Sequence, residues 1–312
     1  VVAKADRGNR GTLWRAIRAA GTRSGAPTIW LDGMRRVALD VSVPQIGAPA
    51  AWSAGYTGTG VKVAVVDSGV DGTHPDLAGQ VIASRTFVPD EDDLDHVGHG
   101  THVAATVAGT GAGRYKGVAP GAKVIAAKVC GLFGCPDSAI IEGMRWAVAE
   151  QGADVVNMSL GGPDTPEIDP TEQAVQDLTA EFGALFVISA GNAGSDRSVG
   201  SPGSADAALT VGAVDDHEAL ARFSSRGPRV GDSALKPDIT APGVDITAAL
   251  SRSAEVGAPP GTTHFSASGT SMATPHVAGS AAILAQQHPA WTATEIKAAL
   301  MGSAKPNPEI AV

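Results

Sequence analysis

The run Val61-Lys62-Val63-Ala64-Val65-Val66 constrains the fold more than any other stretch. It is almost continuously apolar and stops on Asp67-Ser68-Gly69, so it reads as a strand covered on both faces. Such a strand belongs in a parallel sheet with helices above and below it. The remaining sequence agrees: strand patterns at 81–87, 123–129, 154–160, 184–190 and 208–214 alternate with helical patterns at 99–109, 137–150 and 171–182. Two further helices, 270–286 and 292–300, close the chain. This alternation predicts an α/β fold, a doubly wound, mostly parallel central sheet with helices on both faces, whose ligands bind beyond the carboxyl ends of the strands. No internal repeat or low-complexity tract interrupts it.

Residues 1–39 follow a different pattern. An apolar stripe at helical spacing over 12–20 ends at Gly21, and 27–39 reads as one or two strands around an Asp32-Gly33 turn. The piece is basic, whereas the whole 312-residue chain carries a formal net charge of -9. That balance disfavours a nucleic-acid partner, because phosphate contacts need a clustered basic surface. No apolar run reaches the roughly 18–20 residues of a membrane helix. Val1 reads as an internal start, so an export signal would have to lie upstream of it. The two cysteines, Cys130 and Cys135, are too few for a zinc cage. They read as a local disulfide if the protein is exported, and otherwise as two quiet thiols.

Three polar positions stand where such a topology puts chemistry. Asp67 ends the buried strand and is followed by Gly69. His99 lies between two glycines at the mouth of a helix, whereas His102 falls inside that helix and reads as a packed residue. A chelating His-x-x-His is the competing reading, but no Glu follows His99 and no third ligand is evident, so no metal site is assigned. Ser271 sits where a loop of small residues, Ser268-Gly269-Thr270, runs into an apolar helix. Any one of these is compatible with a turn or a cap.

Together they resemble the subtilisin-like serine proteases. The resemblance rests on Val65-Val66-Asp67-Ser68-Gly69, on His99-Gly100-Thr101-His102-Val103-Ala104, and on Gly269-Thr270-Ser271-Met272-Ala273-Thr274-Pro275-His276-Val277-Ala278-Gly279, in that order, and a fourth stretch after an apolar strand, Ser189-Ala190-Gly191-Asn192, matches the family's oxyanion-hole segment. It implies a secreted serine endopeptidase acting on proteins or peptides. Ser271 would be the nucleophile, His99 the general base, Asp67 its orienting acid and Asn192 an oxyanion donor, with no cofactor required for catalysis. It further implies a substrate site made by Ser159, Leu160, Gly161 and Gly162 on one wall, Ala190 and Gly191 on the other, and Gly200 at the base. No charge stands at those positions, which predicts broad specificity with large apolar side chains preferred before the scissile bond.

On the same resemblance, residues 1–39 are part of an inhibitory propeptide-like segment of α+β character and 40–312 are the catalytic domain, with self-cleavage between Leu39 and Asp40. Structural calcium is possible: Pro89-Asp90-Glu91-Asp92-Asp93-Leu94-Asp95 can bind it, bias the cleft toward basic residues, or be a solvated loop. The segment 109–116 departs from the family's asparagine-bearing calcium loop. Two other classes compete. An α/β-hydrolase esterase expects Gly-x-Ser-x-Gly and another residue order. The second is a binding or regulatory module on a blocked protease site.

Overall fold

The structure, a computed structural model, describes residues 39–112, 115–255 and 261–307, together with Thr12 and Arg15. The chain divides into two compact units, residues 1–35 and 36–312. Of the first unit, Thr12 and Arg15 are helical and exposed; the rest of the helix expected at 12–20 and the strands expected from 27 onward lie outside the described residues. Leu39 differs from expectation. It does not end a strand but opens helix α1 (Leu39–Gln45), where it is 1% exposed.

Seven strands form the sheet of the second unit: β1 (Lys62–Asp67), β2 (Val81–Thr86), β3 (Lys123–Lys128), β4 (Val155–Met158), β5 (Leu185–Ser189), β6 (Leu209–Val214) and β7 (Ile239–Pro242). Their order is β2-β3-β1-β4-β5-β6-β7, and each neighbouring pair is parallel. The chain leaves β1 toward one edge for β2 and β3, then crosses to the other side for β4 onward. The direction of winding therefore changes beside β1, at the end of which Asp67 stands.

The near-continuous apolar strands are explained by two cores. Val63 and Val65 of β1 pack on one face with helices α3 (His99–Ala108) and α6 (Thr270–Gln287), while Ala64 and Val66 pack on the other with α4 (Asp137–Arg145) and α5 (Pro170–Phe182). Successive strand residues point to opposite faces, and both faces are dry. Helix α6 is covered on nearly all sides, from Met272 to Ile283, which is why its sequence is made of small residues. At Gly279 an added Cβ would lie 2.5 Å from Val118 Cβ, so the small residue sets how closely the helix approaches its neighbours.

Several elements have no clear sequence signal. Strand β7 is four residues long and ends in Pro242, tolerable because it is an edge. The antiparallel pair β8 (Ile246–Ala249) and β9 (His264–Ala267) is joined by a long connection without a hairpin turn signature. Helices α1 and α2 (Ala48–Ser53) contain Pro44 and Pro49, which mask their helical pattern. The helix expected at 137–150 is α4 continued by a wider π turn, Trp146–Glu150. Helix α7 (Ala293–Ser303) closes the described chain behind a Thr292–Glu295 capping box.

Candidate active site

Strand ends and two helix mouths meet in one cleft of about 1180 Å³, lined by Asp67, His99, Asn192 and Ser271. Asp67 is buried at the end of β1, and its Oδ1 accepts from the Ser68 amide at 2.7 Å. The same oxygen lies 2.7 Å from His99 Nδ1, which fixes the donor nitrogen of the ring and turns Nε2 outward. Helix α3 can come this close because residue 100 is glycine: a Cβ there would lie 2.1 Å from the Gly69 carbonyl. Burial alone would push the His99 pKa down; the charge and hydrogen bond of Asp67, with Asp95 behind, outweigh it and hold it above the ordinary histidine value.

Ser271 is the second residue of α6. Its Oγ donates to the Ser159 carbonyl at 2.9 Å, and Ser159 Oγ donates back to the Ser271 carbonyl at 2.8 Å. The hydroxyl thus rests on the residue that follows β4. Asn192 is held from the other side: its Oδ1 accepts from Thr270 N at 2.8 Å and from Thr270 Oγ1 at 3.0 Å. With the oxygen so occupied, the NH2 is the group Asn192 has left to donate. Gly269 stands between, its Cβ position 3.5 Å from Asn192 Nδ2 and 3.6 Å from Ser271 N.

Of the seven residues expected at the substrate site, the structure brings six to the cleft. Ser159, Leu160, Gly161, Gly162, Gly191 and Gly200 line the cleft. Ala190 does not; it is fully buried, and its carbonyl accepts from Gly200 N at 3.0 Å, so it holds the wall from behind. The two walls join where Gly162 N donates to the Ser201 carbonyl at 2.9 Å. A Cβ on Gly200 would lie 2.3 Å from the Gly162 carbonyl, so the junction requires glycine.

The cleft is less neutral than those positions suggest. Asp164, Asp169 and Thr171 also line it. Asp169 accepts from Ser201 Oγ, and its other oxygen caps α5 through Thr171 N and Glu172 N. Burial would raise its pKa, but these donors hold it below the usual carboxylate range. Asp164 goes the other way, raised by burial and by the charge of Glu172. Sequence reasoning missed both because they belong to the segment before α5. The Asp169-x-x-Glu172 capping box was the available signal. Cys130 and Cys135 are bonded, and their loop lines the cleft with Phe133 fully exposed at its tip.

The acidic loop before His99 is neither solvated throughout nor arranged as a cage. Buried Lys128 reaches Glu91 at 3.0 Å and the Leu94 carbonyl at 2.8 Å, and Asp92 meets His96 at 2.8 Å. The oxygens of Glu91 and Asp92 are thus turned to cationic groups and N–H donors rather than left for an ion. Among the described residues, His74, Asp76 and His264 bring ligand atoms within 4.8 Å of one another. They do not fit a metal either: His264 Nε2 is bonded to Asp76 at 2.7 Å, while His74 accepts from Asp76 N and reaches the Thr263 carbonyl through its other nitrogen. His102 is a packed residue, as expected, and so is His276. His102 Nε2 bonds the Ile246 carbonyl, and His276 bonds the Met272 carbonyl and Ser42.

Residues 58–311 match the model of the subtilase family, Peptidase_S8, and the chain belongs to that family. It is 42% identical to Subtilisin E of Bacillus subtilis (strain 168) over 269 residues, 84% of this chain and 65% of that protein. With Subtilisin of Bacillus pumilus the identity is 41% over 269 residues, 84% of this chain and 90% of the relative. Among solved structures, a cold adapted subtilisin-like serine proteinase superposes with a TM-score of 0.69 at 32% identity, over 81% of this chain and 85% of the other.

Proposed function

We propose that this chain is a serine endopeptidase that hydrolyses peptide bonds by acyl transfer. The observation that carries this is the meeting, in one cleft, of the Asp67–His99 pair with Ser271 and Asn192. In the first half-reaction Ser271 Oγ attacks the substrate carbonyl carbon while His99 Nε2 takes its proton. Asp67 holds the ring and stabilises the imidazolium, and Asn192 with the Ser271 amide receives the charge that develops on the carbonyl oxygen. His99 returns the proton to the leaving amine. Water then attacks the acyl-serine by the same route, releasing the acid and restoring Ser271. Side chains, backbone amides and water complete the scheme.

Proteins and peptides are the proposed substrates, bound along Ser159–Gly162 with a large apolar side chain between Gly161, Gly191 and Gly200. The uncharged glycine walls at residues 161, 162, 191 and 200 support that preference, at about 1–3 kcal/mol per size step. Secretion is supported by the Cys130–Cys135 bond, which persists in oxidising compartments. Residues 1–39 are proposed as a propeptide-like partner of the catalytic domain 40–312, released by self-cleavage near Leu39-Asp40. Because Leu39 is buried at the start of α1, a cut at that bond requires the first turn to leave its packing. N-terminal sequencing of active protein locates it.

One observation favours a blocked, non-catalytic module instead: Ser271 Oγ donates to Ser159 rather than to His99. Labelling with a fluorophosphonate separates the two. Adduct at Ser271 that disappears in His99→Ala supports the enzyme, whereas an intact, unlabelled Ser271 sinks it.

A further inference from the structure

We propose that Asp95 is a positioning residue for the acid–base pair, fixing where His99 stands relative to Asp67 and biasing the charge His99 carries. The proposal rests on the reading of His99 as the general base. Asp95 is 1% exposed, although it lies in an acidic run whose composition suits a solvated loop. Its Oδ1 accepts from Ser68 Oγ at 2.8 Å and from Gly98 N at 2.7 Å; its Oδ2 accepts from Thr101 N at 2.9 Å and from Thr101 Oγ1 at 2.5 Å. Burial pushes its pKa above the ordinary carboxylate value, and these donors oppose the rise. All four partners donate, which favours the ionised carboxylate.

The partners come from the two segments that must be held in register. Ser68 follows Asp67 on β1, while Gly98 and Thr101 bracket His99 at the start of α3. Ser68 Oγ also accepts from Gly100 N at 3.0 Å, so one hydroxyl bridges the strand end, the helix mouth and the buried carboxylate. Without Asp95, two amides of the first turn of α3 and the Ser68 hydroxyl would lose their partner in a dry site, and the pair could move apart by fractions of an ångström.

Charge gives the second half of the argument. A helix N-terminus is a poor place for an imidazolium, because its partial positive charge opposes a second positive charge. The groups facing His99 are Asp67 on β1, Asp95 in the preceding loop and His102 further along α3. His102 is held neutral down to about 3 by burial, so the two carboxylates dominate. Asp67 touches the ring; Asp95 offsets the helix end on which the ring sits.

The test uses the full chain and a chromogenic peptide, with kcat and KM followed across pH for the parent, Asp95→Asn, Ser68→Ala and Ser271→Ala. In Asp95→Asn the acid limb of kcat/KM should move to lower pH by about half a unit or more. Its kcat should fall about tenfold at unchanged KM, since Asp95 lines none of the substrate cleft. Ser68→Ala keeps the charge and breaks the bridge, so kcat should fall with the acid limb in place. An acid limb that stays put in Asp95→Asn, or a loss confined to KM, overturns the proposal. If Asp95→Asn does not fold, a Ser68→Ala enzyme with parental kcat overturns the positioning role. Turnover surviving in Ser271→Ala overturns the acyl-transfer reading itself, and with it any role for Asp95 in the reaction.

Discussion

Helices α3 and α6 both begin at a glycine and both aim their first turn at the cleft, yet their mouths carry opposite electrostatics. The mouth of α3, behind Gly98, is closed by a buried carboxylate, Asp95, on the amides of residues 98 and 101. The mouth of α6, behind Gly269, meets neutral oxygens instead, the Gly243 carbonyl on Gly269 N and the Asn192 amide oxygen on Thr270 N. The contrast follows from what each mouth must do. In the proposed reaction His99 becomes a cation, which a neutralised helix end suits; Ser271 sits beside a developing anion, which a positive helix end suits. Farther along each helix stands a buried histidine, His102 in α3 and His276 in α6, and these two behave alike.

The contrast should be most sensitive at the open mouth. Asn192→Ala removes a donor from α6 and should lower kcat about 10²–10³-fold with KM nearly unchanged, a magnitude that belongs to an oxyanion donor of a subtilisin and is carried over from that relative. Steady-state kinetics check it, and a KM rise at constant kcat would remove Asn192 from the oxyanion site. The next effect tests the likeness of the two buried histidines. Their folded pKa values are depressed by burial, to about 3 for His102 and about 4 for His276. Below the unfolded value of about 6.5 the unfolded chain takes up protons that the folded chain refuses, so stability falls with pH from 6.5 toward those values. Between pH 7 and pH 5 each should cost about 2 kcal/mol. Urea unfolding of the Ser271→Ala variant, which cannot digest itself, reads the loss. His99 contributes with the opposite sign, its raised pKa favouring the folded state at low pH and losing that contribution as pH rises. The smallest effect belongs to Thr270→Val, which removes one hydrogen bond to Asn192 Oδ1 and the partner of Gly191 N. At about 1 kcal/mol, kcat/KM should fall roughly fivefold, and parental kinetics would show that the Thr270 amide alone orients Asn192.

Much of this site was legible before any coordinates. Asp67, His99, Asn192 and Ser271 stand in motifs whose local grammar, strand end or helix mouth beside glycine, already limits where a side chain can point. The glycines at 161, 162, 191 and 200 were legible for the same reason. Asp95 was not, because in sequence it is one acid of five between 90 and 95, and nothing local says which of them turns inward. Asp169 was hidden likewise by its ordinary capping role. Strand β7 and the β8–β9 pair escaped because four residues carry too little periodicity to outweigh a proline or a long connection.

The order of residues is enough to require the near-continuous apolar strands of β1 and its neighbours, hence a parallel sheet with two covered faces and chemistry at its carboxyl edge. It is also enough to say which chemical groups reach that edge. How those groups are charged and oriented emerges only on folding: which acid is buried behind His99, which atom of the Asn192 amide is occupied, and which wall residue stands behind the cleft rather than in it. Orientation and pKa depend on desolvation and on donors arriving from distant segments, as Ser68 and Thr101 arrive at Asp95. Neighbours along the chain carry no record of either.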